Sequence, residues 1–367
     1  MSSKVLFIFH VPPPINGSAI LGKLIMKSEY INNAFNADYI NLTTSFSLKK
    51  IGKGGGSKIL TVFKILAKVI KVHLTNEYDI CYMTLTAKGI GFYKDFLVVS
   101  ILKLFGTKII YHFHNKGVKE SSKKGILNFL YRFTFKNTQS ILSSKFLYHD
   151  IEKYVKKENV FFCGNGIPDI ADYQPIRETP TKDEPCKFLF LSNMMKTKGV
   201  YVLLDSCKIL QEKKMNFKCH FVGAWSDISN EDFDIKVNEY GLNGTVRAHG
   251  PKYGENKIAY FKNSDAFIFP TYNEVFGLVN LEAMQQSLPV ISTLEGSIPD
   301  VVKNGKTGYL VKPKNSFELA ERMEILIRNP ELRTKMGLSG RKRYKEYYTF
   351  STFETKLASI LQQAIKK

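Results

Sequence analysis

The chain has 367 residues, which is more than one ordinary hydrophobic core needs and is typical of two domains. Its hydrophobic content of 44% and charged content of 23% exclude a largely disordered protein. The five cysteines form no C-x-x-C pair, which argues against a disulfide scaffold or a zinc site and favours a reducing compartment.

Positive charge is concentrated in the first half of the chain. The formal net charge is +20, and residues 1–165 carry 24 Lys and Arg against 9 Asp and Glu. Such a surplus favours anionic partners, and both nucleic acid and anionic lipid fit it. No apolar run reaches the roughly 18 residues that a spanning helix needs, and no signal-peptide cleavage site follows the first apolar run. We therefore expect a cytoplasmic protein.

Short apolar runs alternate with helical patterns through the first half. The predicted strands are Lys4–Phe9, Ala37–Leu42, Asp79–Met83, Lys108–His114 and Ser140–Ser144. The predicted helices are Ser18–Asn33, Ser57–Leu74, Asp95–Phe105 and Lys124–Phe135. This alternation predicts right-handed crossovers and a mostly parallel, doubly wound α/β sheet.

A polar, proline-containing stretch then interrupts the pattern, and the alternation restarts after it. The predicted strands of the second half are Lys187–Leu191, Lys218–Val222, Thr245–Ala248, Ala266–Phe269, Pro289–Ser292 and Gly308–Val311. We predict Rossmann-like domains at 1–167 and 187–349, a linker at 168–186, and a C-terminal helix at 350–367 that packs back on the first domain. Because ligands bind at the carboxyl ends of parallel strands, we expect the active site in a cleft between the domains.

The strongest chemical signal follows the predicted strand Ala266–Phe269. A helix is predicted to begin near Gly277, where a ligand can approach the backbone closely and the unpaired N–H groups suit a diphosphate. Glu274 and Glu282 bracket this point. On one helix they would stand about 12 Å apart, which is unlike the roughly 5–10 Å of a glycosidase pair. Each could hold a hydroxyl of an extended ligand, or they could be a helix-dipole partner and a surface charge.

The pattern Glu274-x7-Glu282 around a Phe-Gly-Leu turn, with a Leu-Pro-Val-Ile-Ser run behind it, resembles the signature of glycosyltransferase family four. Members of that family are retaining enzymes of the GT-B fold, with two Rossmann-like domains facing across a cleft. The resemblance implies that Glu274 holds the donor sugar and Glu282 the ribose. It also implies that the amides of Phe276, Gly277 and Leu278 contact the diphosphate or the sugar.

A second motif follows the strand Lys187–Leu191 and opens a helix. In the family a lysine here, usually with an arginine five residues before it, neutralises the diphosphate as it leaves. Lys198 matches the lysine, whereas Asn193 stands at the arginine position. The missing cation must be offset, by Lys196 or by a neutral hydrogen bond from Asn193. The alternative is that Lys198 is a solvated lysine at a helix start.

Three residues match the family more loosely. Gly17 resembles the N-terminal glycine loop near the phosphates and acceptor, or is a plain turn glycine. His114 resembles the histidine that faces the transferred sugar from the first domain, or caps a loop; we expect His112 to point to the opposite side of the sheet. Gly250 resembles the loop that meets the nucleotide base.

The predicted helix Ser57–Leu74 is apolar over most of its surface. Lys64, Lys68 and Lys71 form one stripe on it, and further lysines precede it in a glycine-rich loop at 49–56. We expect this helix or its loop to lie against an anionic membrane, where each lysine contributes about 1 kcal/mol. An ordinary crossover helix with a solvated lysine face is the alternative.

The resemblance implies a retaining hexosyl- or N-acetylhexosaminyltransferase. Its expected donor is a nucleotide-diphosphate sugar, most often UDP-linked, and its expected acceptor is a lipid-linked or other saccharide of capsule or lipopolysaccharide at the inner face of the cell membrane. Because Asp232-x-Asp234 falls in a helical stretch away from the diphosphate, we expect no metal and no other cofactor.

Two rival functions stay open. One is a sugar-nucleotide epimerase or hydrolase of the same fold. The other is a basic protein without activity that binds nucleic acid or carbohydrate, although no nucleic-acid-binding motif supports it and we expect no nucleic-acid partner. The sequence does not determine the sugar, the linkage or the oligomeric state.

Overall fold

The computed structural model describes residues 2–13, 16–44, 56–170 and 184–367. Two compact units divide the chain, one comprising Met1–Asn165 with Phe350–Lys367 and the other Gly166–Thr349. The predicted boundary at 167 lies two residues beyond the first unit. Most of the predicted linker, residues 171–183, lies outside the described residues, as does the lysine-containing loop at 45–55.

The first unit contains a parallel sheet with the order β2-β1-β3-β4-β5-β6. Its strands are β1 (Lys4–Phe9), β2 (Asn36–Asn41), β3 (Ile80–Thr84), β4 (Ile109–His112), β5 (Gln139–Leu142) and β6 (Val160–Phe162). Its helices, numbered in chain order, are α1 (Gly17–Lys27), α2 (Glu29–Ala34), α3 (Gly56–Thr75), α4 (Ile90–Leu104), α5 (Val118–Ser121), α6 (Gly125–Phe135) and the C-terminal α14 (Phe350–Lys366).

Helices pack on the sheet of the first unit in layers. Residues of α1 and α14 pack with alternate residues of β1, namely Val5, Phe7 and Phe9. In a separate group of helices, α3 contacts α4 and α4 contacts α6. Ile65 and Val69 are the buried side of α3.

Among the differences between the first unit and its predicted elements are the first helix and the last strand. The predicted helix Ser18–Asn33 is two helices, because Ser28 has an extended backbone and its Oγ accepts a hydrogen bond at 3.0 Å from the Ile31 N–H at the start of α2. Strand β6 was not predicted. It has only three residues at the edge of the sheet, which is too short for a recognisable alternation.

The second unit contains a parallel sheet with the order β12-β11-β10-β7-β8-β9. Its strands are β7 (Cys186–Leu191), β8 (Phe217–Val222), β9 (Val246–Ala248), β10 (Ala266–Phe269), β11 (Val290–Thr293) and β12 (Gly308–Val311). Its helices are α7 (Val200–Glu212), α8 (Asn230–Glu239), α9 (Gly254–Lys262), α10 (Leu278–Gln285), α11 (Ile298–Val301), α12 (Ser316–Arg328) and α13 (Pro330–Tyr347). Parallel strands with α-helical crossovers confirm the predicted α/β class. Among the helices of the described residues, none is both long and apolar enough to span a bilayer.

Candidate functional site

Strands β7 and β10 are neighbours at the centre of the second sheet, and the chain leaves them toward opposite edges. Such a switch point is where open α/β sheets bind ligands. The loops that follow these two strands are joined, because the Tyr272 N–H donates to the Thr197 carbonyl at 2.9 Å. Gly199 has φ +84°, and a Cβ there would lie 2.2 Å from the Pro270 carbonyl oxygen. The two loops therefore form one tightly packed structure.

Lys198 and Glu274 are brought together by these joined loops. Lys198 Nζ lies 2.8 Å from Glu274 Oε2, and the two side chains are 21% and 20% exposed. The other carboxylate oxygen, Glu274 Oε1, accepts a hydrogen bond from the Val275 N–H at 2.8 Å. The ammonium also lies 5.8 Å from the centre of the Phe269 ring. A phosphate that binds Lys198 must therefore share or displace Glu274.

Helix α10 begins beside this ion pair and has no side-chain cap. Gly277 precedes its first turn in the left-handed conformation, with φ +76°, and within the described part of the chain no side-chain cap hydrogen bond is made at this helix start. A Cβ on Gly277 would lie 2.7 Å from Asn280 Nδ2. Phe276 is buried and its ring packs 6.3 Å from that of Tyr348, whereas Leu278 is half-buried. The helix start therefore presents backbone donors to an anion.

The loop before α10 is held from behind by residues that follow β11. A Cβ on Gly296 would lie 2.5 Å from the carbonyl oxygens of Glu274 and Val275. The Ser297 N–H donates to the Val275 carbonyl at 2.7 Å. These close approaches hold the backbone at Glu274 and Val275 in place.

Glu282 is paired with a residue that the sequence did not single out. Lys257 Nζ, on α9, lies 2.8 Å from Glu282 Oε1. Glu282 Oε2 is buried and, among the described residues, has no hydrogen-bond partner; the same holds for both amide atoms of Asn280. An unsatisfied buried polar atom costs about 1–3 kcal/mol, so these atoms favour a ligand that supplies hydroxyl or other polar groups. Lys257 lies in a polar helix, and no motif marks it.

Asn193 and Lys196 are both exposed. The Lys196 N–H donates to Asp227 Oδ1 at 2.9 Å, and the next residue after Asn193, Met194, is anchored by donation to the Ala224 carbonyl at 2.8 Å. Which of the two offsets the missing arginine stays a prediction.

Gly250 follows β9 and lies near the end of β8. Its carbonyl accepts from the Gly223 N–H at 3.0 Å, and a Cβ on Gly223 would lie 1.7 Å from the Ser192 carbonyl. Beside it, His249 Nε2 lies 2.9 Å from His220 Nδ1. Burial, followed by the nearby His220, lowers the pKa of His249 to about 4. The surroundings of Gly250 therefore include a histidine that is neutral at pH 7 and closely packed backbone, and the contact of Gly250 with a nucleotide base stays a prediction.

Gly17 lies in the first unit as the exposed first residue of α1. The preceding Asn16 caps that helix, because its Oδ1 accepts from the Ala19 N–H at 3.0 Å. In the same helix, Gly22 is a position with no room for a side chain, because a Cβ there would lie 2.2 Å from the His10 carbonyl oxygen. Its position in the middle of a helical pattern gave no signal of this contact.

His114 lies two residues beyond the end of β4 and is half-buried. Its ring centroid lies 4.3 Å from that of His112, so the expectation that the two point to opposite sides of the sheet was wrong. Residues two apart on a strand share a face, which is the physical reason. Burial, with a smaller contribution from His10, lowers the pKa of His114 to about 4, which makes it neutral at pH 7.

A buried charged cluster near His114 was missed by the sequence analysis. Lys94 Nζ lies 3.2 Å from Asp95 Oδ1 and 3.4 Å from His10 Nε2, and it donates to the Leu42 carbonyl at 2.9 Å. The predicted helix starts at Asp95, and no role was predicted for Lys94 or Asp95. The helix begins earlier, at Ile90, and turns both side chains inward.

In the described part of the chain, no group of three or more His, Cys, Asp or Glu side chains is arranged to hold a metal ion. Asp232 belongs to the capping box of α8, where its Oδ2 accepts from the Ser229 N–H at 3.3 Å, and Asp234 accepts from Asn230 Nδ2 at 2.7 Å. These two carboxylates therefore have structural roles in their helix.

Comparison with known proteins relates the second unit to one family. Residues 172–343 match the family model described as Glycosyl transferases group 1. The capsular polysaccharide biosynthesis glycosyltransferase CapM of Staphylococcus aureus is 29% identical over 178 residues, which are 48% of this chain and 46% of CapM. The chain therefore spans about half the length of this curated relative.

Solved structures resemble the chain over nearly its whole length. Sucrose-phosphate synthase from Thermosynechococcus elongatus has a TM-score of 0.73 at 17% identity, with 99% of each chain covered. HepE from Anabaena, solved in complex with UDP, has a TM-score of 0.71 at 15% identity, with 98% of this chain and 100% of that chain covered. At this identity the likeness concerns the fold alone, and it confirms the predicted GT-B class.

Proposed function

We propose that the protein is a glycosyltransferase, because residues 172–343 match the family model described as Glycosyl transferases group 1. The observation that carries the proposal is the Lys198–Glu274 pair, at 2.8 Å, beside the uncapped start of α10 at a sheet switch point. A cation, a helix N-terminus and an aimed carboxylate are the groups that a nucleotide-diphosphate sugar needs.

We assign the parts of the donor to these groups as follows. The diphosphate binds the backbone N–H groups from Phe276 to Leu278 and the Lys198 ammonium. Glu274 accepts from hydroxyls of the sugar, and Glu282 Oε2, which has no hydrogen-bond partner in the described ranges, accepts from the ribose. UDP is the proposed nucleotide, a choice supported by the UDP complex of the HepE fold relative.

The proposed reaction retains the anomeric configuration. The bond between the anomeric carbon and the diphosphate oxygen breaks, and the acceptor hydroxyl bonds to that carbon on the same face. Its proton passes to the leaving diphosphate. Lys198 and the helix start stabilise the charge that develops on the leaving group, which is the main electrostatic demand of this step. His114, neutral at pH 7, is proposed to face the transferred sugar.

We propose that no metal ion takes part in this step. Lys198 and the α10 N–H groups supply the positive potential that a divalent ion would otherwise provide, and Asp232 and Asp234 are used in the cap and side-chain bonds of α8. Turnover that is abolished by EDTA and restored by a divalent ion would contradict this part.

The proposed acceptor is a lipid-linked diphosphate sugar or another saccharide, at the inner face of the cell membrane. The basic surplus of the first half of the chain supports an acceptor that carries phosphate. CapM, a relative of the second unit, is named for capsular polysaccharide biosynthesis, which is the kind of assembly we propose here.

A thermal-shift panel of nucleotide sugars tests the function. A donor at 100 times its dissociation constant should stabilise the protein by about 2.7 kcal/mol. Lys198→Met should lose this shift and transfer, whereas Lys208→Met, at an exposed position on α7, should keep both. No shift with any nucleotide sugar would contradict the proposal, and release of a free epimer without acceptor would identify the rival epimerase.

A further inference from the structure

Helix α4 buries two charged residues and exposes several large apolar ones. Lys94 is 9% exposed and Asp95 is fully buried, whereas Leu104 is 86% exposed. Ile90, Tyr93 and Leu97 lie on the same outward stripe as Leu104 and are also exposed. A helix in contact with water normally exposes charged and polar residues on its outer side. The outward side of α4 is therefore built to contact something other than water.

Both helices beside α4 extend this apolar face. On α6, Ile126, Phe129 and Phe133 recur at helical spacing and are exposed. On α3, Phe63, Ile70 and Leu74 form a similar exposed stripe. The helices are in contact, since α3 packs on α4 and the Phe96 ring of α4 lies 5.5 Å from the Phe133 ring of α6. We call the outward sides of α3, α4 and α6 the three-helix face.

Basic side chains surround the apolar part of this face. Lys64, Lys68 and Lys71 form the next stripe of α3, and Lys103 of α4 lies 5.4 Å from the Phe133 ring. Residues 59–136 contain 13 Lys and Arg against four Asp and Glu. Of these four acids Asp95 is buried and Glu120 pairs with Lys123 at 2.7 Å. The face is apolar in its middle and positive at its edge.

We propose that the three-helix face is a docking surface for an anionic lipid bilayer. The apolar residues insert among the upper acyl chains, and the lysines contact the headgroups. The positive charge of the face favours an anionic bilayer over a second copy of the chain, because two copies of the same basic face would bring like charges together. A contiguous apolar patch of this extent is unusual on a protein surface that stays in water.

This inference deepens the proposed location at a membrane and assigns the contact to specific helices. It does not depend on which sugar is transferred. The arrangement places the buried Lys94–His10 cluster beneath the docking helix α4.

Vesicle co-sedimentation tests the proposal with the full chain. It should bind vesicles of phosphatidylcholine with 30 mol% phosphatidylglycerol at low salt, and bind less as salt screens the lysines. The double variant Leu104→Ser/Phe129→Ser should lower the partition coefficient roughly tenfold or more. The matched control Ile235→Ser/Phe317→Ser, at exposed apolar positions of α8 and α12, should leave it unchanged.

A second variant keeps the test decisive if the first one misfolds. Lys64→Gln/Lys71→Gln removes two exposed charges and no apolar contact, and should lower anionic-vesicle binding roughly tenfold or more. No vesicle binding at low salt, or equal binding by wild type and both variants, would overturn the proposal. Dimerisation that these variants abolish, without vesicle binding, would assign the face to a second copy and would also overturn it.

A parallel thermal shift with UDP separates this inference from the proposed function. A chain that binds UDP but no vesicles contradicts the docking surface alone. A chain that binds vesicles but no nucleotide sugar supports the docking surface and contradicts the proposed transferase.

Discussion

Lys198 Nζ and Glu274 Oε2 stand 2.8 Å apart, and their opposite charges set up a competition that bears on the proposed chemistry. A diphosphate must compete with Glu274 for the Lys198 ammonium, and this competition weakens diphosphate binding. The donor sugar, by contrast, needs the Glu274 carboxylate as an acceptor. Removing the carboxylate should therefore change nucleotide binding and sugar transfer in opposite directions.

Glu274→Gln should bind UDP about two- to fivefold more tightly, because a partly exposed ion pair of up to about 1 kcal/mol no longer competes for Lys198. Transfer should fall roughly 10- to 100-fold, because a charge-assisted hydrogen bond to the sugar is lost. Isothermal titration with UDP and a coupled UDP-release assay measure the two effects.

Glu331→Gln, at an exposed position in the first turn of α13, is the control for both measurements of Glu274→Gln. It should change neither UDP affinity nor transfer. Weaker UDP binding by Glu274→Gln would show that the carboxylate orders the phosphate site and does not compete with it.

The lowered pKa values of the histidines should make the folded chain less stable as the pH falls. Burial is the largest cause that lowers the pKa of His10, His114 and His249, each to about 4, and it also lowers the pKa of His112 and His220. Two charged neighbours have opposite effects on the pKa of His10, since Lys94 lowers it and Asp95 raises it. Between the folded and unfolded pKa values the unfolded chain binds more protons than the folded chain.

Protonation of these histidines should therefore leave the free energy of unfolding unchanged above about pH 6.5 and lower it as the pH falls toward about 4. Thermal melts by circular dichroism at half-unit pH steps should show a falling midpoint across this window. His249→Gln should make the decline shallower. A midpoint that stays constant from pH 7 to 5 would contradict the effect.

At the scale of an element, the start of α10 depends on one small residue. Gly277 combines a positive φ of +76° with a space that Asn280 Nδ2 closes at 2.7 Å. The first property favours glycine for backbone reasons, and the second means that the Asn280 side chain must shift before a methyl group fits. Both would act on the N–H groups proposed to bind the diphosphate.

Gly277→Ala should lower stability by about 1 kcal/mol or more from backbone strain, and should also abolish the UDP-induced thermal shift. Gly305→Ala is the matched control, because its φ of +74° is nearly the same but nothing lies within 4 Å of its Cβ. That control should lose stability and keep UDP binding. Loss of UDP binding by both variants would mean that strain alone explains the effect.

Helix α4 shows how an element can mislead a sequence-based reading. The pattern predicted a helix at Asp95–Phe105. The helix begins at Ile90 and is apolar on nearly all sides. Periodicity cannot assign the inside of such a helix, so the buried ion pair and the three-helix face both stayed hidden.

At the scale of the whole molecule, the single tryptophan offers a probe of one unit. Trp225 lies in the second unit, and its ring packs 5.8 Å from that of Phe233. Its backbone bridges to Met194, beside the loop that follows β7. Its fluorescence should therefore report the unit to which we assign the donor.

Saturating UDP should raise the melting midpoint seen by Trp225 fluorescence, because a ligand stabilises the unit that binds it. The shift should disappear in Lys198→Met. Far-UV circular dichroism, which reports helices of both units, provides the comparison. A UDP-induced shift in circular dichroism without any change in the Trp225 transition would place the nucleotide in the first unit.

The sequence by itself determined the α/β class and most strands and helices, because apolar period and breaker residues are local properties. It also determined Lys198, Glu274 and Glu282 as candidates, because each follows a strand within a dense motif. Only the tertiary structure decided the pairing of Lys257 with Glu282, the tight fit of Gly22 and the inward Lys94–Asp95 pair. These contacts depend on which faces of different elements pack together. Packing between segments that are distant in the sequence produces no periodic pattern from which it could be predicted.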